Sequence, residues 1–374
     1  MINIKDDVVR FYVQNFIINK SQNIEVPGFV FFRVSGKTPI YARQVIMPES
    51  FFVNLEIKLR DKGSVAQKAL YSAGKKFGYR FSLLGGFPSS SDKSGSALVD
   101  YISVINKFIE GTYASRVDCK VNVDEKSCLY TIENFVIINK LGFGYFLPLG
   151  AAAGMLSYIF NDNSIEGIIS DEVSAPGRVQ NLYYAPKEII LLKSKNFFSE
   201  SDLSGLQPTQ EYVSFNQVRR LNCSSFSFKK LLDSKFFNFN KGIILNNSQR
   251  YFIVEVSALY LIEKELAGFS NEIYDSAFSA GEMAFMQIDA PSLSTVSDYL
   301  AAFGWGDVLV LEREGKFRVN SNYFPYTKFC SAINFTIFKG IVAGMLSVLS
   351  KRKVEFSKVE SSISKGYLSV NFFE

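Results

Sequence analysis

Two octapeptides set 190 residues apart constrain this chain more than any other feature. Gly150-Ala-Ala-Ala-Gly154-Met-Leu-Ser157 returns as Gly340-Ile-Val-Ala-Gly344-Met-Leu-Ser347. Other features recur around them in the same order. Ala69-Leu-Tyr-Ser-Ala-Gly74 answers Ser276-Ala-Phe-Ser-Ala-Gly281, Asp100-Tyr101-Ile102 answers Asp298-Tyr299-Leu300, and Glu172 and Gly177 answer Glu360 and Gly366. Several matches in one order are the mark of an internal duplication. Length alone predicts two domains at ~100–200 residues each. The duplication makes them copies, 1–187 and 188–374, with about seventeen extra residues between the two glycine motifs of the first copy. Gly85 to Ser96, rich in Gly, Ser and Pro and without apolar periodicity, reads as an exposed loop within that excess.

The same elements are predicted in each copy. Phe51 to Lys62 and Val65 to Tyr79 repeat apolar residues every three or four positions, as do Ala258 to Leu266 and Ile273 to Met286. That spacing predicts two helices per copy, joined by a turn at Gly63 or Gly268. Alternation then predicts hairpins at Arg116 to Val123 with Ser127 to Ile132, and at Val308 to Glu312 with Lys316 to Val319, the second turning at Glu314-Gly315. The glycine-rich helix follows, and each copy ends in strands, Gln180 to Tyr184 and Tyr367 to Phe373. Helix pair, antiparallel strands, helix, strands is an α+β domain. Gly150 and Gly154, and Gly340 and Gly344, fall four apart on one helical face and allow a neighbouring element to approach closely. Each glycine costs ~1 kcal/mol against Ala in a helix, so the packing gain must exceed that cost. A GxxxG inside an apolar helix presents no free N–H groups to a phosphate.

The sequence contains no histidine. Ser-His-Asp triads, Cys-His pairs, histidine-ligated zinc and histidine pH switches are thereby excluded. No dinucleotide fingerprint, nucleophile motif or paired-carboxylate spacing replaces them, so no catalytic residue, cofactor or metal is assigned and the chain reads as non-enzymatic. Cys119, Cys128, Cys223 and Cys330 form no CxxC pair. Cys119 and Cys128 flank the Asp124 to Ser127 turn, either as a cross-strand disulfide or as two buried thiols. Leu141 to Phe160 is uncharged over twenty residues, but Gly142, Gly144 and Pro148 interrupt its first half. What remains, about Leu149 to Phe160, has the length of a buried helix rather than a membrane span. The equivalent region of the second copy carries Lys339 and runs into Lys351-Arg352-Lys353. Asp6 and Asp7 stand where an export signal would be basic, so the expected location is cytoplasmic.

Ser72-Ala73-Gly74 followed by the Gly150 motif, and Ser279-Ala280-Gly281 followed by the Gly340 motif and Val359-Glu360, resemble the vinyl-four-reductase (4VR) domain. The resemblance implies a small-molecule-binding α+β domain, similar to the sensory domains of phenol- and xylene-responsive transcription activators. It is related in fold to Bet-type subunits of TRAPP tethering complexes. Such domains dimerise, so a tandem copy implies a covalent pseudo-dimer. Members that bind zinc use Glu-x-x-Cys and a further Cys in the final hairpin. Here Glu360 is followed by Ser361, Ser362 and Ile363, and Glu172 by Val173, Ser174 and Ala175, so both copies depart from that pattern.

The copies diverge in charge. Lys58, Arg60, Lys62, Lys68, Lys75, Lys76 and Arg80 crowd the first helix pair, offset by Glu56 and Asp61. The second pair holds Glu263, Glu265, Glu272, Asp275, Glu282 and Asp289 against Lys264, and Lys68 and Lys75 align with Asp275 and Glu282. Such faces are often simply solvated. Otherwise they attract nucleic acid, join molecules head to tail, or complement each other within the pseudo-dimer. The expectation is a protein interface or self-association through Lys68, Lys75, Lys76, Arg80, Asp275 and Glu282; the alternative is a regulatory protein contacting nucleic acid through the basic face. Aromatic residues reach 15% of the chain, enough to line a pocket for a flat or lipid-like ligand. Phe303, Trp305 and Tyr299 are the candidate ligand residues, because the single tryptophan sits between two glycines at a helix-to-strand transition.

Overall fold

A computed structural model of the chain describes residues 22–34, 40–91, 95–137, 145–170, 179–203, 206, 225–240, 243–326, 333–362 and 366–373. Strands β1 (Gln22–Asn23), β2 (Val30–Val34) and β3 (Ile40–Pro48) lead into helices α1 (Glu49–Asp61), α2 (Ser64–Leu84) and α3 (Gly95–Thr112). The hairpin β4 (Arg116–Asn122) and β5 (Ser127–Glu133), α4 (Phe146–Ile159), β6 (Ile165–Ile169), β7 (Val179–Pro186) and α5 (Lys187–Lys193) complete the first half. After α6 (Phe228–Asp233) and β8 (Asn238–Asn240), the order returns. It runs β9 (Ile243–Asn246), β10 (Gln249–Glu255), α7 (Val256–Glu265), α8 (Ser270–Phe285), α9 (Leu293–Ala302), β11 (Asp307–Arg313), β12 (Lys316–Asn322), α10 (Thr336–Ser350), β13 (Glu355–Ser362) and β14 (Tyr367–Phe373).

Among the described residues all strand pairings are antiparallel, and the fold is α+β. Two four-stranded sheets have the same internal order, β4-β5-β7-β6 and β11-β12-β14-β13. A third, six-stranded sheet runs β1-β2-β3-β10-β9-β8 and draws strands from both halves. Its central pair places Ile46 of β3 opposite Ile253 of β10. The sequence patterns predicted neither strand. Every residue of β10 is buried, so the alternation that marks a half-exposed strand is missing.

The glycine motifs sit where helices touch. A methyl on Gly150 or Gly154 of α4 would land on the carbonyl oxygen of Tyr71 or Lys75 in α2, and one on Gly74 would strike Leu147. In the second half, Gly281 and Gly344 meet the carbonyls of Ile341 and Phe278 in the same way. The backbones of the two helices are in contact, which no side chain would permit. Helix α4 begins earlier than predicted because Pro148 lies in its first turn, where the missing N–H has no intrahelical partner to lose. The first half has the longer helices: α2 and α3 have 21 and 18 residues, against 16 and 10 in α8 and α9.

Among the described residues no helix is long and apolar enough to cross a membrane, and no group of three or more His, Cys, Asp or Glu residues is placed to hold a metal ion. Cys119 and Cys128 are free thiols on neighbouring strands, with Cys128 opposite Val121 rather than opposite Cys119. Residues 1–21, Gly142, Gly144, Glu172, Gly177, Cys223, Cys330 and Ile363 lie outside the described residues.

Candidate functional site

The first half encloses a cavity of about 450 Å³. Helices α2, α3 and α4 form one side, β5 and β7 the floor, and β2, β3 and β10 the cover. Its wall is aromatic and aliphatic: Phe52, Phe77, Phe81, Phe87, Phe108 and Phe252 with Ile105, Leu147, Met155 and Leu182. Small residues leave the room. Gly78, Ala151 and Ala152 contribute almost no side chain where α2 and α4 are pressed together. The volume and the apolar lining suit a small hydrophobic molecule.

A few polar groups interrupt this lining. The Tyr113 hydroxyl is spent on the carbonyl of Ile253, 3.1 Å away. The Gln44 Oε1 and the Tyr184 hydroxyl are buried and have no hydrogen-bond partner among the described residues. Burial pushes the Tyr184 phenol far above its ordinary value, so it stays protonated and able to donate. Glu255 belongs to the wall, but its oxygens accept from the backbone N–H and the hydroxyl of Ser257. Burial raises its carboxyl above the usual range, against the pull of these bonds and of nearby Arg80.

The residues expected to contact a ligand are elsewhere. Tyr299, Phe303 and Trp305 are 3%, 2% and 0% exposed, packed in an aromatic core of the second half. Tyr299 packs on Phe236, Phe237, Phe285 and Phe303. Phe303 also meets Phe228, Phe237 and Tyr251. Trp305 packs against Phe324, Tyr326 and Phe338. In the Asp-Tyr match between the copies, Tyr299 answers Tyr101, and four residues on Phe303 answers Ile105. Both Tyr101 and Ile105 line the cavity. In the second half the larger Phe303 stands where the first half has Ile105, packed among other aromatic rings.

The Phe303 to Asp307 turn instead joins the halves. Gly304 and Gly306 have φ of 91° and 97°, which favours glycine. Gly306 N–H donates to the Gly28 carbonyl, and Gly28 N–H to the Ala301 carbonyl, both at 3.0 Å. The buried Arg43 donates from Nη2 to the carbonyls of Gly28, Gly304 and Tyr323, with its guanidinium 4.1 Å from the Phe29 ring centroid.

The opposed charges also meet within the chain. Lys62 pairs with Glu272 at 2.7 Å, Lys76 with Glu265 at 2.8 Å, and Lys58 with Asp275 at 3.7 Å. Lys68 is exposed and Glu282 half-buried. Lys75 and Arg80 are buried, so the basic run is not one exposed face. Lys75 Nζ lies 2.9 Å from Glu166 Oε1, with both side chains wholly buried. Glu166 also accepts from Tyr71, Ser199 and the Glu200 N–H. This cluster fastens residues beyond 187 to the first half, where Phe198 packs on Tyr71 and Phe146.

Two carboxylates read as surface charges have a shared internal role. Glu56 accepts from the N–H groups of Phe146 and Leu147 at the start of α4. Glu263 accepts from those of Thr336 and Ile337 at the start of α10. Each satisfies orphan donors of a helix N-terminus. Each also stands 18 residues before the Ala-Gly motif, at Gly74 and Gly281, so the duplication held a usable signal for both.

No protein-family model matches the sequence, and no curated protein matches it.

Proposed function

We propose that the chain is a tandem pseudo-dimer of 4VR-like domains, in which the first half is a non-enzymatic binding or sensory module for an apolar small molecule. The second half is its filled, non-binding partner. The observation that carries this reading is the asymmetry between the halves: an apolar cavity of about 450 Å³ in one, and aromatic side chains packed around Tyr299 and Phe303 in the other. Strand β10 of the second half contributes Phe252 to Glu255 to the cavity wall. Occupancy in the first half is thus felt at a strand that the second half supplies, as a sensory module requires.

Native mass spectrometry of the purified chain, with titration by the neutral dye Nile red, tests the reading. Wild type is expected to bind the dye in the low-micromolar range or to carry a small molecule. Ile105→Phe, which imports the side chain of the twin position, is expected to weaken dye binding at least tenfold with an unchanged fold by circular dichroism. Equal binding by both proteins, or no binding by a ligand-free wild type, would remove the cavity from the function.

A further inference from the structure

Among the lining residues, solvent reaches Val104, which is 48% exposed, and Arg33 is exposed beside half-buried Phe32. The rings of Phe32 and Phe108 meet at 5.3 Å. The mouth therefore lies between β2 and α3. Among the described lining residues, Arg33 is the single basic side chain.

We propose that the cavity takes a single-chain amphiphile with a monocarboxylate head, its apolar chain inside and its carboxylate at Arg33. This rests on the cavity being a binding site, and adds what enters it and which way round. Three observations fix the class. The interior is apolar, so it favours a hydrocarbon chain. The other charged side chain among the described lining residues, Glu255, is a buried carboxyl with its oxygens held by Ser257, so the interior offers an anionic head no cation and the cost of burying it unpaired leaves it at the mouth. The head meets one guanidinium, whose planar fork matches a carboxylate and balances one negative charge, whereas a phosphate monoester brings nearly two.

The experiment displaces Nile red from the full chain with decanoate, decanol and decyltrimethylammonium, each below its micelle concentration. Decanoate is expected to bind about threefold to fivefold more tightly than decanol, the gain of one exposed ion pair, and decyltrimethylammonium more weakly than decanol. Arg33→Gln should erase the advantage of decanoate while leaving decanol unchanged, and Arg33→Lys should keep most of it. Equal affinities of decanoate and decanol, or a preference that survives Arg33→Gln, overturn the assignment while the cavity remains a binding site. If Nile red itself fails to bind wild type, or Ile105→Phe leaves every affinity unchanged, the cavity reading falls and this one with it.

Discussion

At the start of α4, Glu56 shows how two opposing effects on one carboxyl are decided by burial. The two N–H groups and the helix dipole favour its charged form, but full burial pushes its pKa from the ordinary 4.5 up to about 8. The folded chain then holds a proton that the unfolded chain releases between those values. Stability from this group is present below about pH 4.5 and declines as pH rises to about 8, by at most ~1.4 kcal/mol per pH unit. Chemical denaturation at several pH values should show Glu56→Gln with a flatter dependence than wild type in that window. Parallel slopes would mean that Glu56 is ionised throughout. The position was readable as half of a repeated pair, but its burial was not, because a glutamate two residues before Lys58 and four before Arg60 looks like a surface counter-charge.

Helices α2 and α4 depend on the absence of side chains at four positions, and so resist repair by small movements. Gly154→Ala places a methyl on the Lys75 carbonyl and must force the helices apart, at a cost of about 3 kcal/mol. The control is Gly268→Ala, where a methyl meets nothing within 4 Å and the effect should stay within ~0.5 kcal/mol. Urea unfolding midpoints read both; a small loss in Gly154→Ala would mean that the contact is slack. The helices read from three- and four-residue apolar spacing were legible to within about five residues, as were the hairpins with marked turns, but α3 and α9 were not read at all. Strands β3 and β10 were not read either, because burial on both faces removes alternation, and buried polar residues such as Arg43, Gln44, Gln249 and Arg250 break what would otherwise be an apolar run. The cavity was hidden for a related reason: it is an absence of volume beside Gly78, Ala151 and Ala152, whereas the eye goes to Trp305.

Across the whole molecule, ion pairs between the oppositely charged helix pairs join the halves of one chain. Lys76 reaches Glu265 and Glu200, and these three side chains are each 17% exposed. Lys76→Glu should lower stability by about 1–2 kcal/mol through the loss of both pairs and the added repulsion. Glu265→Lys in the same chain should restore part of it, and the mass in solution should not change. A change of oligomeric state at constant stability, read by light scattering, would return these charges to an interface between molecules. The repeated motifs pointed to two like parts, but not to first strands shared in one sheet, since pairing between distant segments leaves no local pattern.

That shared sheet governs how the protein can be made. Ile46 finds Ile253 across the β3–β10 ladder, some two hundred residues further along the chain. At ordinary translation rates the interval is on the order of ten seconds or more. Throughout it the newly made first half presents a row of unsatisfied backbone donors and acceptors, and its apolar chamber lacks the part of its cover that β10 provides. The nascent chain is therefore at its most vulnerable to pairing with another copy just before its own second half emerges.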